Sequence, residues 1–184
     1  MTYAPSPSAM NELITHGIKG GDIWQRGIDI RHFSPTYRDI QLRRAIDAEN
    51  TPILLFVGRL VKEKDLEDLA DASLILQGWG DFFKLVIIGD GPMRKELEEK
   101  LPQAHFTGYL KGSDLSRWYA SSDIFVFPST TETFGNVVLE AFASGLPVIG
   151  VNKGGVADLI SSGKNGLLSV PNNPKELAYH IKML

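Results

Sequence analysis

The sequence predicts an α/β fold, a doubly wound parallel sheet of the Rossmann type, and three observations carry that prediction. Six short apolar runs, Ile53–Val57, Lys84–Ile88, His105–Thr107, Ile124–Phe127, Val148–Val151 and Gly166–Val170, are near-continuous rather than alternating, as in strands covered on both faces. Helical patterns separate them, at Leu66–Gln77, Pro92–Lys100, Asp114–Ala120, Asn136–Ser144, Val156–Ile160 and Lys175–Leu184, and strand–helix alternation means a parallel sheet. Glycine and charge gather just after the apolar runs, where open α/β sheets bind ligands.

In chain order, residues 1–50 do not read as the start of a compact domain. Pro5 and Pro7 stand close together, a helix is expected over Ala9–Thr15, and Gly17, Gly20, Gly21 and Gly27 mark irregular chain. Phe33-Ser34-Pro35 marks a turn, and Tyr37–Ala48 has helical spacing and charge. This stretch reads as a connection that finishes one domain and enters the next. From Thr51 the strand–helix rhythm is regular, and the last helical pattern reaches Leu184 without a cap, as expected of a truncated end.

The loops after the strands hold the candidate chemistry. Gly58–Asp65 (GRLVKEKD) follows the first strand; Arg59 can grip phosphate oxygens with a forked donor set, and Lys64 is a movable point charge. Taken alone, each reads first as part of a solvated turn paired with Asp65 or Glu67. Gly89–Pro92 (GDGP) follows the second strand and is either a tight turn or a ligand contact; Gly108–Lys111 follows the third, and Asn152–Gly155 the fifth. In the common doubly wound order the first and fourth strands are neighbours, so the Arg59/Lys64 loop and the loop after Phe127 face one crevice.

That fourth loop, with its helix, is the stretch around which the chain is organised. Pro128 ends the strand, Gly135 admits close backbone approach, and the free amides around Gly135 to Val137 favour an anion. Gly145 suits the left-handed position past the helix end. Glu132 lies on the loop and Glu140 inside the helix, on the same face as Asn136. A carboxylate beside a phosphate repels it, so both suit hydroxyl groups flanking a pyrophosphate; the other reading is a pair of solvated helix-end charges.

Composition narrows the classes. The chain has 184 residues, 43% hydrophobic, enough for a core of its own. A net charge of −3 gives no support to nucleic acid as a partner. No cysteine is present, which excludes disulfides and thiolate metal sites and makes a cytoplasmic setting the simpler expectation. No apolar run is long enough to span a bilayer, and the first residues lack a signal-peptide pattern. Dinucleotide and nucleoside-triphosphate fingerprints and a serine-nucleophile elbow are missing, and His16, His32, His105 and His180 have no metal-ligand spacing. Trp24, Trp79 and Trp118 read as packing residues.

Taken together, Val57–Asp65 (VGRLVKEKD), Ile87–Pro92 (IIGDGP), Phe106–Leu110 (FTGYL), Pro128–Glu140 (PSTTETFGNVVLE) and Ala143–Val148 (ASGLPV) resemble the donor-binding half of the family 4 (group 1) glycosyltransferases. Trp24–Asp29 (WQRGID) and Phe33–Pro35 (FSP) resemble that family's interdomain segment, so the likeness runs from about Trp24 to Leu184. The resemblance implies one of the two Rossmann-like domains of a GT-B architecture, with residues 1–50 as interdomain lead-in and leading helices and 51–184 as the donor-binding domain. It implies an active site between two domains, retention of anomeric configuration, and a nucleoside-diphosphate sugar as donor, with no cofactor and no metal for donor binding. The acceptor-binding domain would precede Met1, and any peripheral membrane contact would be made through it. By the same resemblance Arg59 and Lys64 would bind the diphosphate and Glu132 the transferred sugar, these three forming the catalytic set. Gly58, Gly91, Thr133, Phe134, Gly135 and Asn136 would be substrate-binding, the backbone at 134–136 meeting phosphate and sugar; Leu110 and Lys111 would hold the base and Glu140 the ribose. A single donor domain would bind nucleotide without turnover. A non-catalytic sugar-nucleotide binding module and a sugar-nucleotide epimerase of the same architecture are the alternatives.

Overall fold

The structure, a computed structural model, describes residues 1–24 and 27–184. The motif at 24–29 therefore includes two residues, Gln25 and Arg26, outside the described residues. The leading part holds β1 (Tyr3–Ala4), α1 (Pro7–Thr15), β2 (Asp22–Ile23), a 3-10 turn at Pro35–Tyr37 and α2 (Ile40–Arg44). The regular part follows as β3 (Ile53–Val57), a 3-10 turn at Lys62–Lys64, α3 (Leu66–Gly78), β4 (Lys84–Ile88), α4 (Arg94–Lys100), β5 (His105–Gly108), α5 (Gly112–Ser121) and β6 (Ile124–Phe127). The chain continues with α6 (Asn136–Ala143), β7 (Val148–Val151), α7 (Gly154–Leu159), β8 (Gly166–Ser169) and α8 (Pro174–Met183).

Six strands form one parallel sheet in the order β5-β4-β3-β6-β7-β8. The order reverses between β3 and β6, which pair through Leu54–Ile124 and Leu55–Phe125, so the loops leaving these strands emerge side by side at the carboxyl end of the sheet. Every residue of β3, β6 and β7 is buried, which is why the runs are continuous and not alternating. Phe56, Phe127 and Phe125 stack in a row with ring centroids 5.8 Å apart at each step, filling the core at the switch point.

The leading segment departs from its sequence reading in two places. The helix expected over Tyr37–Ala48 is instead a 3-10 turn followed by the short α2, because Asp39 takes an extended conformation and caps a new start by accepting from the Gln41 and Leu42 amides. The glycine-rich stretch contains β2, paired in parallel with β1. Otherwise element bounds differ from expectation by one or two residues, the ordinary uncertainty of helix ends.

This segment is packed onto the sheet domain. Arg43 is buried and donates to the carbonyls of Ala48, Thr51 and Ser121 and to the Asp123 carboxylate, joining α2 to the amino ends of β3 and β6. Asp39 pairs with Arg117 of α5, whose guanidinium holds the carboxyl below the usual carboxylate range. Ser6 caps α1 by accepting from the Ala9 amide and, 2.8 Å away, donates to the Thr133 carbonyl. Ser6→Ala removes both bonds and is expected to cost about 1 kcal/mol in a denaturant titration, the usual worth of such a cap.

Candidate functional site

The crevice is built by loops that grip one another. Asp65 stands at the start of α3 with φ 52°, yet its side chain caps no helix amide; its Oδ2 accepts from the Thr130 amide and hydroxyl, both at 2.7 Å. The Glu63 carbonyl accepts from the Thr131 hydroxyl at 2.7 Å and the Ser129 hydroxyl at 3.4 Å. Between these ties, Lys64 Nζ donates to Glu132 Oε2 at 2.7 Å, with both side chains mostly shielded, and sits 5.5 Å from the centre of the Phe127 ring. Three consecutive residues thus clasp four consecutive residues of the loop after β6. The two charges that the sequence assigns to a ligand's phosphate and sugar are here neutralising each other.

The far side of that loop is held as firmly. The Gly155 amide donates to the Glu132 carbonyl at 2.8 Å, and Ser6 holds the Thr133 carbonyl. Phe134 is buried, and Gly135, at φ 88°, turns the chain into α6. The first amide of this helix with a backbone acceptor is Val138, to the Gly135 carbonyl; among the described residues Asn136 and Val137 donate to no backbone oxygen. Asn136 is exposed at the first helical position, so the N-terminal amides and their dipole are open to an anion.

Beside the clasp lies a cavity of about 520 Å³, of a size suited to a small organic ligand. Gly58, Arg59, Leu110, Lys111 and Glu140 line it, all named from sequence, together with His32, Asp90 and Tyr109. Gly91 has a packing role: the Gly89–Gly91 turn presses on the loop after β3, with the Leu60 amide donating to the Asp90 carbonyl at 2.9 Å. Gly89 has φ 137°, and a Cβ there or at Gly91 would collide with the carbonyl oxygen of Gly58 or Leu60. The candidates therefore fall into two groups. Arg59, Lys111 and Glu140 meet in the cavity, Lys64, Glu132 and Thr133 belong to the clasp, and α6 joins the groups by carrying Gly135 and Asn136 at its start and Glu140 one turn on.

Glu140 is half-buried. Burial raises its carboxyl above the usual carboxylate range; a hydrogen bond from the Tyr119 hydroxyl at 2.8 Å and the nearby charge of His32 act the other way. Tyr119, Asp65 and His32 are the residues that sequence reasoning did not place. Asp65 has the signature of an ordinary helix cap, and Tyr119 that of one more core aromatic. His32 comes from the leading segment, 108 positions before Glu140 in the numbering.

A second depression, of about 490 Å³, lies at the amino ends of the strands near Arg43, Phe83 and Ile181. Its principal charged groups are spent on each other, Arg43 on Asp123 and Lys182 on Asp81. Among the described residues no three His, Cys, Asp or Glu side chains converge as a metal site, and no helix is long and apolar enough to cross a membrane.

Fold and crevice define a Rossmann-like α/β architecture with a crevice at the switch point of a parallel sheet. Residues 51–184 match the family described as Glycosyl transferases group 1, and the chain belongs to that family. It is 47% identical over 168 residues to a GDP-mannose-dependent alpha-mannosyltransferase of Corynebacterium glutamicum, an alignment covering 91% of this chain and 40% of that protein. It is 36% identical over 194 residues to a sulfoquinovosyl transferase of Arabidopsis thaliana, covering 100% of this chain and 37% of that one. The chain thus spans about 40% of the length of the curated relatives it matches. Among solved structures, Anabaena HepE in complex with UDP and glucose superposes with a TM-score of 0.86 at 26% identity, covering 98% of this chain and 52% of that one. The C-terminal domain of a group 1 glycosyl transferase from Francisella tularensis superposes with a TM-score of 0.72 at 29% identity, covering 86% of this chain and 87% of that one. The six-stranded sheet with its flanking helices is the fold of GT-B glycosyltransferase structures.

Proposed function

We propose that this chain is the donor-binding part of a glycosyltransferase that moves a sugar from a nucleoside-diphosphate sugar to an acceptor, retaining anomeric configuration. The observation that carries the reading is the convergence of Arg59, the Lys64–Glu132 pair and the open amides of α6 at the carboxyl ends of β3 and β6. The identity with a GDP-mannose-dependent enzyme makes GDP-mannose the first donor to test.

Cleaving a sugar–phosphate bond builds positive charge at the anomeric carbon and negative charge on the departing diphosphate. Arg59, Lys64 and the α6 N-terminus supply fixed positive charge for the latter, a stabilisation that needs no proton transfer. Glu132 is released from Lys64 as the phosphate arrives and accepts from the sugar's hydroxyls, while Glu140 accepts from the ribose and the chain at Leu110 and Lys111 holds the base. Residues 51–184 form the donor domain and 1–50 the segment leading into it from an acceptor-binding domain, through which any membrane contact is made; the setting is cytoplasmic.

Product analysis tests the reaction. The full-length protein with GDP-mannose and acceptor should yield a glycoside of retained configuration, and this chain alone should yield none. Interconversion of two sugar nucleotides without a glycoside would make the protein an epimerase and overturn the proposal.

A further inference from the structure

Among the described residues the Tyr119 hydroxyl is the one side-chain donor within hydrogen-bond distance of Glu140, and its surroundings leave it little freedom. The ring is fully buried, wedged edge-on against Phe33 at 5.6 Å and tilted against Phe125 at 5.6 Å. A phenol has a single hydrogen to donate. Two acceptors are in range, Glu140 Oε2 at 2.8 Å and the Val137 carbonyl at 3.3 Å, and the shorter, charged one takes it. Glu140 therefore enters the cavity with one carboxylate oxygen already committed.

From this geometry we infer that Tyr119 is a positioning residue: it fixes the rotamer of Glu140 and keeps the carboxylate an acceptor, leaving the second oxygen for a hydroxyl of the ligand. The inference rests on the donor-binding reading of the cavity and goes beyond it, by giving a role to a buried aromatic that does not line the cavity. Phe33 extends the chain of contacts, since the leading segment braces the ring that aims Glu140.

Burial favours the neutral carboxyl and the phenol's hydrogen bond favours the carboxylate, so the two oppose each other. Removing the hydroxyl leaves burial unopposed on that side and moves the Glu140 titration upward. Other charged groups facing Glu140 are His32 from the leading segment, Lys111 ahead of α5, and Arg59 and Asp90 across the cavity. None of these changes when one oxygen is removed from Tyr119.

Tyr119→Phe keeps the ring and its packing. In the ligand-free chain, carbon-13 NMR of the glutamate carboxyls should show the Glu140 titration displaced to higher pH, and the displacement should persist in a His32→Gln background. Affinity for GDP-mannose at neutral pH should fall about tenfold, with the acid limb of binding moved to higher pH, and Tyr119→Phe should add no further loss once Glu140→Gln is present. An unmoved Glu140 titration, or an equal additional loss in the Glu140→Gln background, would overturn the inference. A lower melting temperature with both titration and affinity unchanged would make Tyr119 a packing residue only. If the unaltered chain binds no sugar nucleotide, the donor reading fails and the ligand role of Tyr119 fails with it. The titration, which needs no ligand, separates that failure from a hydrogen bond that does not set the state of Glu140.

Discussion

Arg43→Met is expected to destabilise the fold by about 3–5 kcal/mol, the range for breaking a buried ion pair from one side. The methionine keeps most of the apolar stem, so the loss isolates the guanidinium. Its Nε donates to the Ala48 carbonyl at 3.0 Å, Nη1 to the Ser121 carbonyl at 2.7 Å and Asp123 Oδ2 at 2.8 Å, and Nη2 to the Thr51 carbonyl at 2.8 Å. Asp123 also accepts from the Ile53 amide at 2.8 Å, so one arginine and one aspartate tie the leading segment to the first and fourth strands of the sheet. Without the guanidinium, three carbonyls lose a donor and the Asp123 carboxylate keeps only the Ile53 amide and Arg38. Asp123 keeps some exposure, at 30% of its side chain, and Arg38 at 3.3 Å, which favours the lower part of the range. A denaturant titration measures the loss, and nucleotide affinity should be unchanged in the folded fraction because this hub lies at the end of the sheet opposite the crevice. A change below about 1 kcal/mol would mean that the leading segment contributes little to the domain.

The second large effect belongs to the Lys64–Glu132 pair. Lys64→Ala should weaken nucleoside-diphosphate binding by about 1.5–3 kcal/mol, the worth of a hydrogen bond to a charged group, and more than Arg59→Ala, because it also leaves Glu132 unpaired beside the incoming phosphate. Glu132→Gln should act in the opposite sense on the free diphosphate, sparing or improving its binding by freeing Lys64, while weakening the sugar nucleotide by a similar amount. Glu140→Gln should weaken both ligands. Calorimetric titration of the variants and of the Lys64→Ala/Glu132→Gln double variant closes the cycle; equal losses for Glu132→Gln with both ligands would mean that the glutamate does not meet the sugar. Mutants that lose thermal stability yet keep their affinity would make the pair purely structural.

The central strands β3, β6 and β7 were legible because every residue in them is buried and the runs are therefore continuous in apolar character. The neighbouring of the first and fourth strands followed from the common topology, and β3 and β6 do pair. The lead-in was harder to read. Asp39 restarts a helix that periodicity alone runs together, and β2 has only two residues among glycines. At the site, the glycine and charge signals located the loops but not their partners. The local sequence offers Lys64 the neighbours Asp65 and Glu67 as partners, yet it pairs with Glu132, 68 positions away, while Asp65 turns to Thr130. Long-range pairing of this kind depends on where two loops emerge from the sheet, which no local pattern records. The same holds for Tyr119, whose hydroxyl finds Glu140 only once α5 and α6 are packed.

The most direct measurement is calorimetry of this chain with GDP, GDP-mannose and UDP. Saturable one-to-one binding of at least one of them is expected, lost in large part on Lys64→Ala and unchanged in the folded fraction of Arg43→Met; binding to none of the three, or binding indifferent to Arg59, Lys64 and Glu140, would contradict it.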